Sequence, residues 1–180
     1  MTFPNTGPGD YFYSLEMEST SSPLLLLDVD GVLNPYPNCP PGFVEHALFA
    51  DDDEPVRLAA FHGEWLHELA HRFTLVWATA WRYEANRLLC PVFHLPELPV
   101  VAFPDTPFHP GAKVPAIESF VGDLPVAWVD DIVTPGARQW AEDRDEPTLL
   151  VEVDPAVGLT RSAVDDLLAW ASDLTTARLW

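Results

Sequence analysis

Basic residues are scarce in this chain of 180 residues, and lysine is nearly absent. Nine Lys and Arg residues stand against 28 Asp and Glu residues, so the formal net charge at pH 7 is -19, and Lys113 is the single lysine. Duplex nucleic acids and anionic membranes bind proteins through clustered positive charge. We therefore expect neither a long footprint on duplex DNA nor a membrane-bound protein.

Cysteines and long apolar runs are also scarce. Cys39 and Cys90 are the only cysteines and form no CxxC pair, which argues against a disulfide scaffold. Apolar runs such as Leu24–Leu27 are far too short to span a bilayer. The first 20 residues have neither the basic segment nor the apolar segment of a signal peptide. These absences together favour a cytoplasmic protein.

Apolar stretches and helical stretches alternate along the chain from residue 23 onward. The predicted strands are 24–28, 74–79, 99–103, 125–130 and 148–152, and the predicted helices are 62–72, 82–89, 113–121, 136–142 and 161–173. Buried strands that alternate with helices are typical of a mostly parallel sheet with helices on both faces. The sequence thus predicts an α/β fold, a Rossmann-like three-layer sandwich around a five-stranded sheet.

Two regions depart from this alternation. Residues 1–22 are rich in Pro, Gly, Ser and Thr, which predicts a flexible N-terminal tail before a single domain over residues 23–180. Two extended pieces, Phe43–Glu45 and Val56–Leu58, flank the acidic turn Asp51–Asp53 and predict a small hairpin-like flap. The remaining intervals are too short for a full cap domain, so we expect an open site.

Carboxylates are concentrated where the first and fourth predicted strands end. Asp28 and Asp30 follow the first strand, and Gly31 allows a sharp turn there, while Asp130 and Asp131 end the fourth strand. The carboxyl ends of parallel strands share one edge of the sheet, where ligands bind. Several carboxylates at one point repel each other unless a cation lies among them, and hard oxygen ligands suit Mg²⁺. The sequence leaves open whether Asp130 or Asp131 is the direct ligand.

Thr79 and Lys113 are further candidates at the same edge. Thr79 ends the second predicted strand, where the free amides of the next helix suit an anion. Lys113 opens a predicted helix, and its compact ammonium suits a crowded metal and phosphate site better than a guanidinium does. The alternative is that Lys113 is a surface lysine without a special role.

These residues resemble the ordered motifs of the haloacid dehalogenase (HAD) phosphohydrolase superfamily. The motifs are Asp28–Val32, Thr79, Lys113 and Asp130–Asp131, and the resemblance spans roughly residues 23–175. A narrower branch, proposed to act in RNA repair, is resembled by Leu27–Asn34, Trp77–Trp81, Trp128–Asp131 and Asp154–Thr160. The resemblance implies a Rossmann-like fold and phosphatase activity.

The resemblance also implies roles for the four aspartates. Asp28 would be the nucleophile that forms an aspartyl-phosphate. Asp30 would protonate the leaving oxygen and then activate the hydrolytic water. Mg²⁺ would bind Asp28, the backbone carbonyl of Asp30 and Asp130, with Asp131 near by or acting through water.

Phosphate binding would fall to Thr79 and Lys113, with Arg82 as an additional contact. Trp81 and Arg82 follow Thr79 and could flank the substrate. The alternative is that Trp81 packs under the flap and Arg82 pairs with a nearby acid. An open site admits bulky substrates, so the expected partner is a phosphorylated small molecule or a phosphorylated nucleic-acid end. The sequence identifies no protein partner.

Two other interpretations compete with a HAD-type phosphatase. His67-Glu68-Leu69-Ala70-His71 matches the HExxH signature of zinc metalloproteases. On a helix both histidines would point to solvent, and no third ligand follows at a suitable spacing. A non-catalytic module that senses phosphate or binds a protein is the alternative from a different class, although Asp30 and Lys113 favour catalysis.

Overall fold

The computed structural model describes residues 22–49, 54–104 and 109–177. The strands in this part of the chain are β1 (Leu24–Leu27), β2 (Phe43–His46), β3 (Val56–Ala59), β4 (Thr74–Trp77), β5 (Val126–Asp130) and β6 (Thr148–Glu152). The helices are α1 (Ala60–Ala70), α2 (Tyr83–Phe93), α3 (Lys113–Val121), α4 (Pro135–Glu142) and α5 (Arg161–Ala177), and a 3₁₀ turn (Pro110–Ala112) precedes α3. The predicted tail, apart from Ser22, and the predicted acidic turn 51–53 lie outside the described residues.

The main sheet is parallel and has the order β4-β1-β5-β6. Its second strand, β1, is a run of four buried leucines. Leu25 and Leu27 pack into one apolar cluster with α1, α2 and α5. Leu24 and Leu26 pack into a second cluster with α3 and α4 on the opposite face. Helices therefore cover both faces of the sheet, which confirms the three-layer α/β sandwich and explains why β1 shows no apolar–polar alternation.

The predicted third strand, 99–103, does not form a regular strand. Val100 makes a single parallel bridge with Trp77 of β4, supported by hydrogen bonds from Trp77 N to Pro99 O and from Val101 N to Trp77 O. Pro99 has no N–H to donate, so the ladder with β4 cannot extend from Val101 towards the N-terminus. The prediction of five strands was therefore wrong by one: the described sheet has four strands and one bridge.

The predicted flap is a two-stranded antiparallel hairpin of β2 and β3. The backbone N–H of Arg57 in β3 donates to Oδ1 of Asn34 at 2.8 Å, which ties the hairpin to the loop that follows β1. Past β2, Phe49 packs edge-on against Trp81, with ring centroids 4.9 Å apart. The hairpin thus lies against the elements at the carboxyl end of the sheet.

The helix predictions agree with the structure in number and order, but their ends differ. Helix α1 begins and ends two residues before the predicted 62–72, and α2 extends to Phe93 although Pro91 lies inside it. Helix α3 has the predicted bounds. No described helix is both long enough and apolar enough to cross a membrane.

Candidate active site

Lys113 lies between two buried carboxylates at the carboxyl end of the sheet. Its Nζ is 2.5 Å from Oδ2 of Asp28, which follows β1, and 2.6 Å from Oδ2 of Asp130, the last residue of β5. The neighbouring parallel strands β1 and β5 bring the two carboxylates together, and the first turn of α3 carries the lysine to them. The remaining oxygens, Oδ1 of Asp28 and Oδ1 of Asp130, accept the N–H groups of Val29 and Ile132.

Burial changes the pKa of each member of this group. It raises the pKa of Asp28, and Lys113 opposes that rise. It raises the pKa of Asp130 in the same way, again against Lys113. Burial lowers the pKa of Lys113, but the two carboxylates outweigh it, so this pKa lies above its usual value. Lys113 therefore stays charged at neutral pH and offsets part of the negative charge of its two partners.

Asp131 lies beside this group and is confined on two sides. Tyr36 donates its hydroxyl hydrogen to Oδ2 of Asp131 at 2.6 Å. This hydrogen bond, followed by burial, raises the pKa of Tyr36 to about 12, so the phenol keeps its proton. On the other side, a Cβ built on Gly31 would lie 2.5 Å from Cγ of Asp131, and Gly31 has a φ of +74°. Glycine is therefore required at position 31 both for the turn and for the close approach of Asp131.

Asp30 is held by two side-chain donors. Nδ2 of Asn34 donates to Oδ1 of Asp30 at 2.8 Å, and Nε1 of Trp81 donates to Oδ2 at 2.8 Å. The sequence suggested that Trp81 either flanks the substrate or packs under the flap. The hydrogen bond to Asp30 adds a role that neither interpretation included. Trp81 packs against Phe49 and at the same time orients Asp30.

The loop after β6 anchors the loop after β1. Leu159 N donates to Val32 O at 2.7 Å, and Tyr36 N donates to Pro155 O at 2.9 Å. Gly158 has a φ of +78°, and a Cβ there would lie 2.6 Å from Val32 O. The sequence Asp154–Thr160 therefore contributes to the site through its backbone, by fixing the loop that carries Asp30 and Tyr36.

His62 of α1 contacts the loop after β6. Its ring is fully buried against Phe61 and Trp65, and Nε2 lies 3.0 Å from Leu159 O. Burial lowers the pKa of His62 to about 4. The imidazole is therefore neutral at pH 7, and Nε2 carries the proton that Leu159 accepts.

Thr79 and Arg82 are not among the residues that line the cavity above Asp28, Asp130 and Lys113. Thr79 is fully buried, and its Oγ1 accepts the N–H of Trp81 at 3.3 Å. The guanidinium of Arg82 donates to the carbonyl of Phe103. Both residues are within the second predicted strand-to-helix turn, and their roles in phosphate binding stay predictions.

A cavity of about 210 Å³ opens above the carboxylates. The residues that line it are Asp28, Asp30, Tyr36, Ala80, Pro110, Lys113, Asp130, Asp131 and Ile132. Four carboxylates and one ammonium therefore face the same space. Tyr36 and Ile132 are 40% and 46% exposed, so the rim of the cavity carries apolar surface while its floor is charged.

The carboxylates fit a divalent cation. Asp28, Asp130 and Asp131 each offer an oxygen, and these three oxygens lie within 4.8 Å of one another. Three hard carboxylate oxygens match the preference of Mg²⁺. Lys113 offsets only part of their charge, so the cluster remains electronegative and attracts a cation.

The HExxH motif on α1 does not form a comparable group. His67 Nε2 lies 3.0 Å from the carbonyl oxygen of Phe93, and Glu68 pairs with Arg161 at 2.5 Å. In the part of the chain that the structure describes, the aspartate cluster is the one group of three or more metal-ligating side chains. The zinc metalloprotease interpretation gains no support from this arrangement.

The comparison with protein-family models assigns this chain to one family. The family model described as the HAD domain in Swiss Army Knife RNA repair proteins matches residues 24–164, from β1 into α5. The chain belongs to this family. The match confirms the resemblance seen in the sequence motifs and supports a HAD-type phosphohydrolase at the level of the superfamily. No curated protein matches the chain at a significant level.

Sequence reasoning missed several residues of this HAD domain. Tyr36, Asn34 and Trp128 all donate to aspartates of the cavity, with Trp128 Nε1 3.1 Å from Oδ2 of Asp130. Asn34 and Trp128 lie inside the stretches that resembled the RNA-repair branch, so their neighbourhood was visible but their contacts were not. Tyr36 lies between Pro35 and Pro37 in a loop, where no periodic pattern indicates which way a side chain points.

Proposed function

We propose that this HAD domain is a Mg²⁺-dependent phosphomonoesterase that acts through an aspartyl-phosphate on Asp28. The observation that carries the proposal is the position of Lys113 between Asp28 and Asp130 on the floor of an open cavity. A buried cluster of this kind brings together a carboxylate nucleophile, the ammonium group of Lys113 and further carboxylates that can bind a metal ion. Phosphoryl transfer depends mainly on such positioning and charge stabilisation.

In this proposal Asp28 is the nucleophile. It is 8% exposed, lines the cavity, and its carboxylate is held by Val29 N and Lys113 Nζ. Attack by a carboxylate oxygen of Asp28 forms a new bond to phosphorus and breaks the bond between phosphorus and the ester oxygen. The product of this step is a phosphorylated Asp28 and an alcohol.

In this proposal Asp30 is the general acid and then the general base. In the first step it donates a proton to the leaving ester oxygen, and in the second it takes a proton from the water that attacks phosphorus and releases Asp28. Its two hydrogen bonds, to Asn34 and Trp81, fix the carboxyl group at the edge of the same cavity. A group with two successive proton transfers needs such a fixed orientation.

Mg²⁺ would be held by the carboxylates of Asp28 and Asp130, the Asp30 carbonyl, and Asp131 directly or through water. When bound, the cation would stabilise the negative charge on the phosphoryl oxygens. Lys113 supplies a second fixed positive charge beside Asp28 and reduces the repulsion between an anionic substrate and the anionic floor. Thr79 and Arg82 remain candidates for further phosphate contacts.

The preferred substrate in this proposal is a phosphorylated nucleic-acid end or a nucleotide. The family is that of the HAD domain in Swiss Army Knife RNA repair proteins, which supports that choice. The open rim with Tyr36 and Ile132 offers apolar surface next to the charged floor, which suits a base attached to a phosphate. The charge of -19 disfavours contact with many phosphates, but a single terminal phosphate meets Lys113 and the cation locally.

The proposal is tested by hydrolysis of p-nitrophenyl phosphate with Mg²⁺ or with EDTA. We expect turnover with Mg²⁺ and none with EDTA. The rate with Mg²⁺ should fall at least about 1,000-fold in Asp28→Asn and in Asp30→Asn. Asp123→Asn removes an exposed carboxylate outside the cavity and should keep the wild-type rate. RNA oligonucleotides with 5′- or 3′-phosphates, nucleotides and sugar phosphates then form the substrate panel. Absence of turnover on the whole panel, together with absence of Mg²⁺ binding, would replace this proposal with the non-catalytic module.

A further inference from the structure

The hydroxyl of Tyr36 contacts Asp131 across the mouth of the cavity. The 2.6 Å hydrogen bond joins residues 95 positions apart in the sequence, so it depends on the tertiary fold. Both side chains line the cavity. Neither residue belongs to the ion pairs that Lys113 makes on the cavity floor.

The carboxylate of Asp131 needs contacts from other residues to stay oriented towards Asp28 and Asp130. Asp28 and Asp130 each have one oxygen on Lys113 and the other on a backbone N–H, so their orientations are fixed on the floor. Asp131 is half-buried at the rim, where a carboxylate is freer to rotate toward solvent. Gly31 limits it on one side, because the carboxylate packs where a Cβ of residue 31 would be.

Tyr36 supplies the constraint on the other side and is itself anchored. Its backbone N–H donates to Pro155 O at 2.9 Å, and the loop that contains Pro155 is joined to the β1 loop again through Leu159 and Val32. The phenol therefore projects from a fixed point. A hydrogen bond from a fixed donor to one oxygen of a carboxylate restricts its rotation and leaves its other oxygen available to a cation.

We propose that Tyr36 is a positioning residue that holds Asp131 as a ligand for the divalent cation, an inference that rests on the proposed function. Asp131 is then one of three carboxylates preset around the cation, and Tyr36 determines how tightly the cation binds. Partners of ligating carboxylates generally change metal affinity by about 10- to 100-fold when they are removed. The Tyr36 ring at the rim remains in place when the hydroxyl alone is deleted.

The test is the direct titration of Mg²⁺ into the full chain by isothermal titration calorimetry, without substrate. Tyr36→Phe removes the hydroxyl and keeps the ring, and we expect its Kd for Mg²⁺ to rise about tenfold or more. Tyr83→Phe is the matched control, because Tyr83 is a well-exposed tyrosine that does not line the cavity. Its Kd should stay within about twofold of the wild-type value.

A double variant separates positioning from a general structural effect. In an Asp131→Ala background, Tyr36→Phe should no longer change the Kd for Mg²⁺, because Asp131→Ala removes the acceptor of the hydrogen bond through which Tyr36 acts. In the assay, the Mg²⁺ concentration for half-maximal rate should rise in Tyr36→Phe in parallel with the Kd for Mg²⁺. The thermal midpoint without Mg²⁺ should match that of the wild type.

The outcomes distinguish the two proposals. If the wild type binds Mg²⁺ and Tyr36→Phe binds it equally well, the role of Tyr36 is overturned while the proposed function stands. If Tyr36→Phe weakens binding equally in the presence and absence of the Asp131 carboxylate, Tyr36 acts through another group and the inference is also overturned. If the wild type binds no Mg²⁺, the metal-dependent function fails, and the role of Tyr36 fails with it.

Discussion

Lys113 Nζ lies 2.5 Å from Oδ2 of Asp28, although 85 residues separate them in the sequence. The single lysine of the chain is thus buried as the counter-ion of the proposed nucleophile. This arrangement gives the protein a dependence on one side chain for both its stability and its proposed chemistry.

Lys113→Met should destabilise the fold and abolish activity. The substitution leaves Asp28 and Asp130 buried without their counter-ion, and loss of one partner of a buried ion pair costs about 3–5 kcal/mol. We expect phosphatase activity to fall at least about 100-fold. Urea unfolding in EDTA and in Mg²⁺ measures the stability, and Mg²⁺ should restore part of it by supplying positive charge. An unchanged unfolding midpoint in EDTA would contradict this explanation, and Arg87→Met, which removes an exposed ion pair with Glu84, is the control.

Gly31→Ala should cost more than the same substitution at a positive-φ glycine that has no neighbour in the way. Gly122 has a φ of +51° and open space where a Cβ would lie, whereas a Cβ at Gly31 would meet Asp131. Gly122→Ala should therefore cost about 1–3 kcal/mol from its backbone alone. Gly31→Ala should add about 1–3 kcal/mol for the clash and also weaken Mg²⁺ binding. Equal losses of stability in the two variants, measured by urea unfolding, would show that the approach of Asp131 to Gly31 has no energetic importance.

Trp81→Phe should lower kcat without a large change in KM. The phenyl ring keeps the contact with Phe49, but the hydrogen bond from Nε1 to Asp30 is lost. Loss of one orienting hydrogen bond of about 1–1.5 kcal/mol predicts a decrease of about tenfold in kcat. Trp170→Phe, on α5 and stacked on Phe73 outside the cavity, should keep the wild-type kcat. Steady-state kinetics with an aryl phosphate checks the prediction, which is wrong if the two variants behave alike.

His62 should make the fold less stable as the pH falls from about 6.5 to about 4. The native imidazole has a pKa of about 4, while in the unfolded chain the value is near 6.5. In this interval His62 is protonated in the unfolded state and neutral in the native state, so protonation favours unfolding. The contribution of His62 should approach about 3 kcal/mol at the acid end of the interval.

The comparison that isolates His62 is the pH dependence of the free energy of unfolding in His62→Phe. This variant should show a shallower decrease between pH 6.5 and pH 4 than the wild type, although it loses the hydrogen bond to Leu159 at every pH. His71→Phe removes an exposed histidine from the end of the same helix and should keep the wild-type slope. Identical slopes in wild type and His62→Phe would contradict the burial-induced shift.

The site residues at the strand ends were predictable because the geometry of a parallel sheet is regular. The apolar runs before Asp28 and Asp130 indicate buried strands, and parallel strands bring their carboxyl ends to one edge. The rarity of lysine made Lys113 conspicuous in the same way. Composition and pattern thus located the floor of the cavity, together with the α/β class and the flap.

The remaining features depend on contacts between distant segments. No pattern in the sequence shows that Tyr36 reaches Asp131 or that Trp81 donates to Asp30, because each contact joins residues that are 51 or more positions apart. The depth of Thr79 was equally invisible, since a threonine after a strand has the same local pattern at the surface as in the interior. The apolar segment 99–103 predicts a strand, but it forms only one bridge, because Pro99 has no N–H with which to extend the ladder.

The position of β1 within the sheet has a consequence for hydrogen exchange. The N–H of Asp28 donates to Val129 O at 3.1 Å, and β1 is bonded to β4 on one side and to β5 on the other. These amide hydrogens exchange with solvent only when the sheet itself opens, whereas the flap and the rim can open locally at a smaller cost. The backbone that carries the proposed nucleophile should therefore be among the last in the protein to exchange.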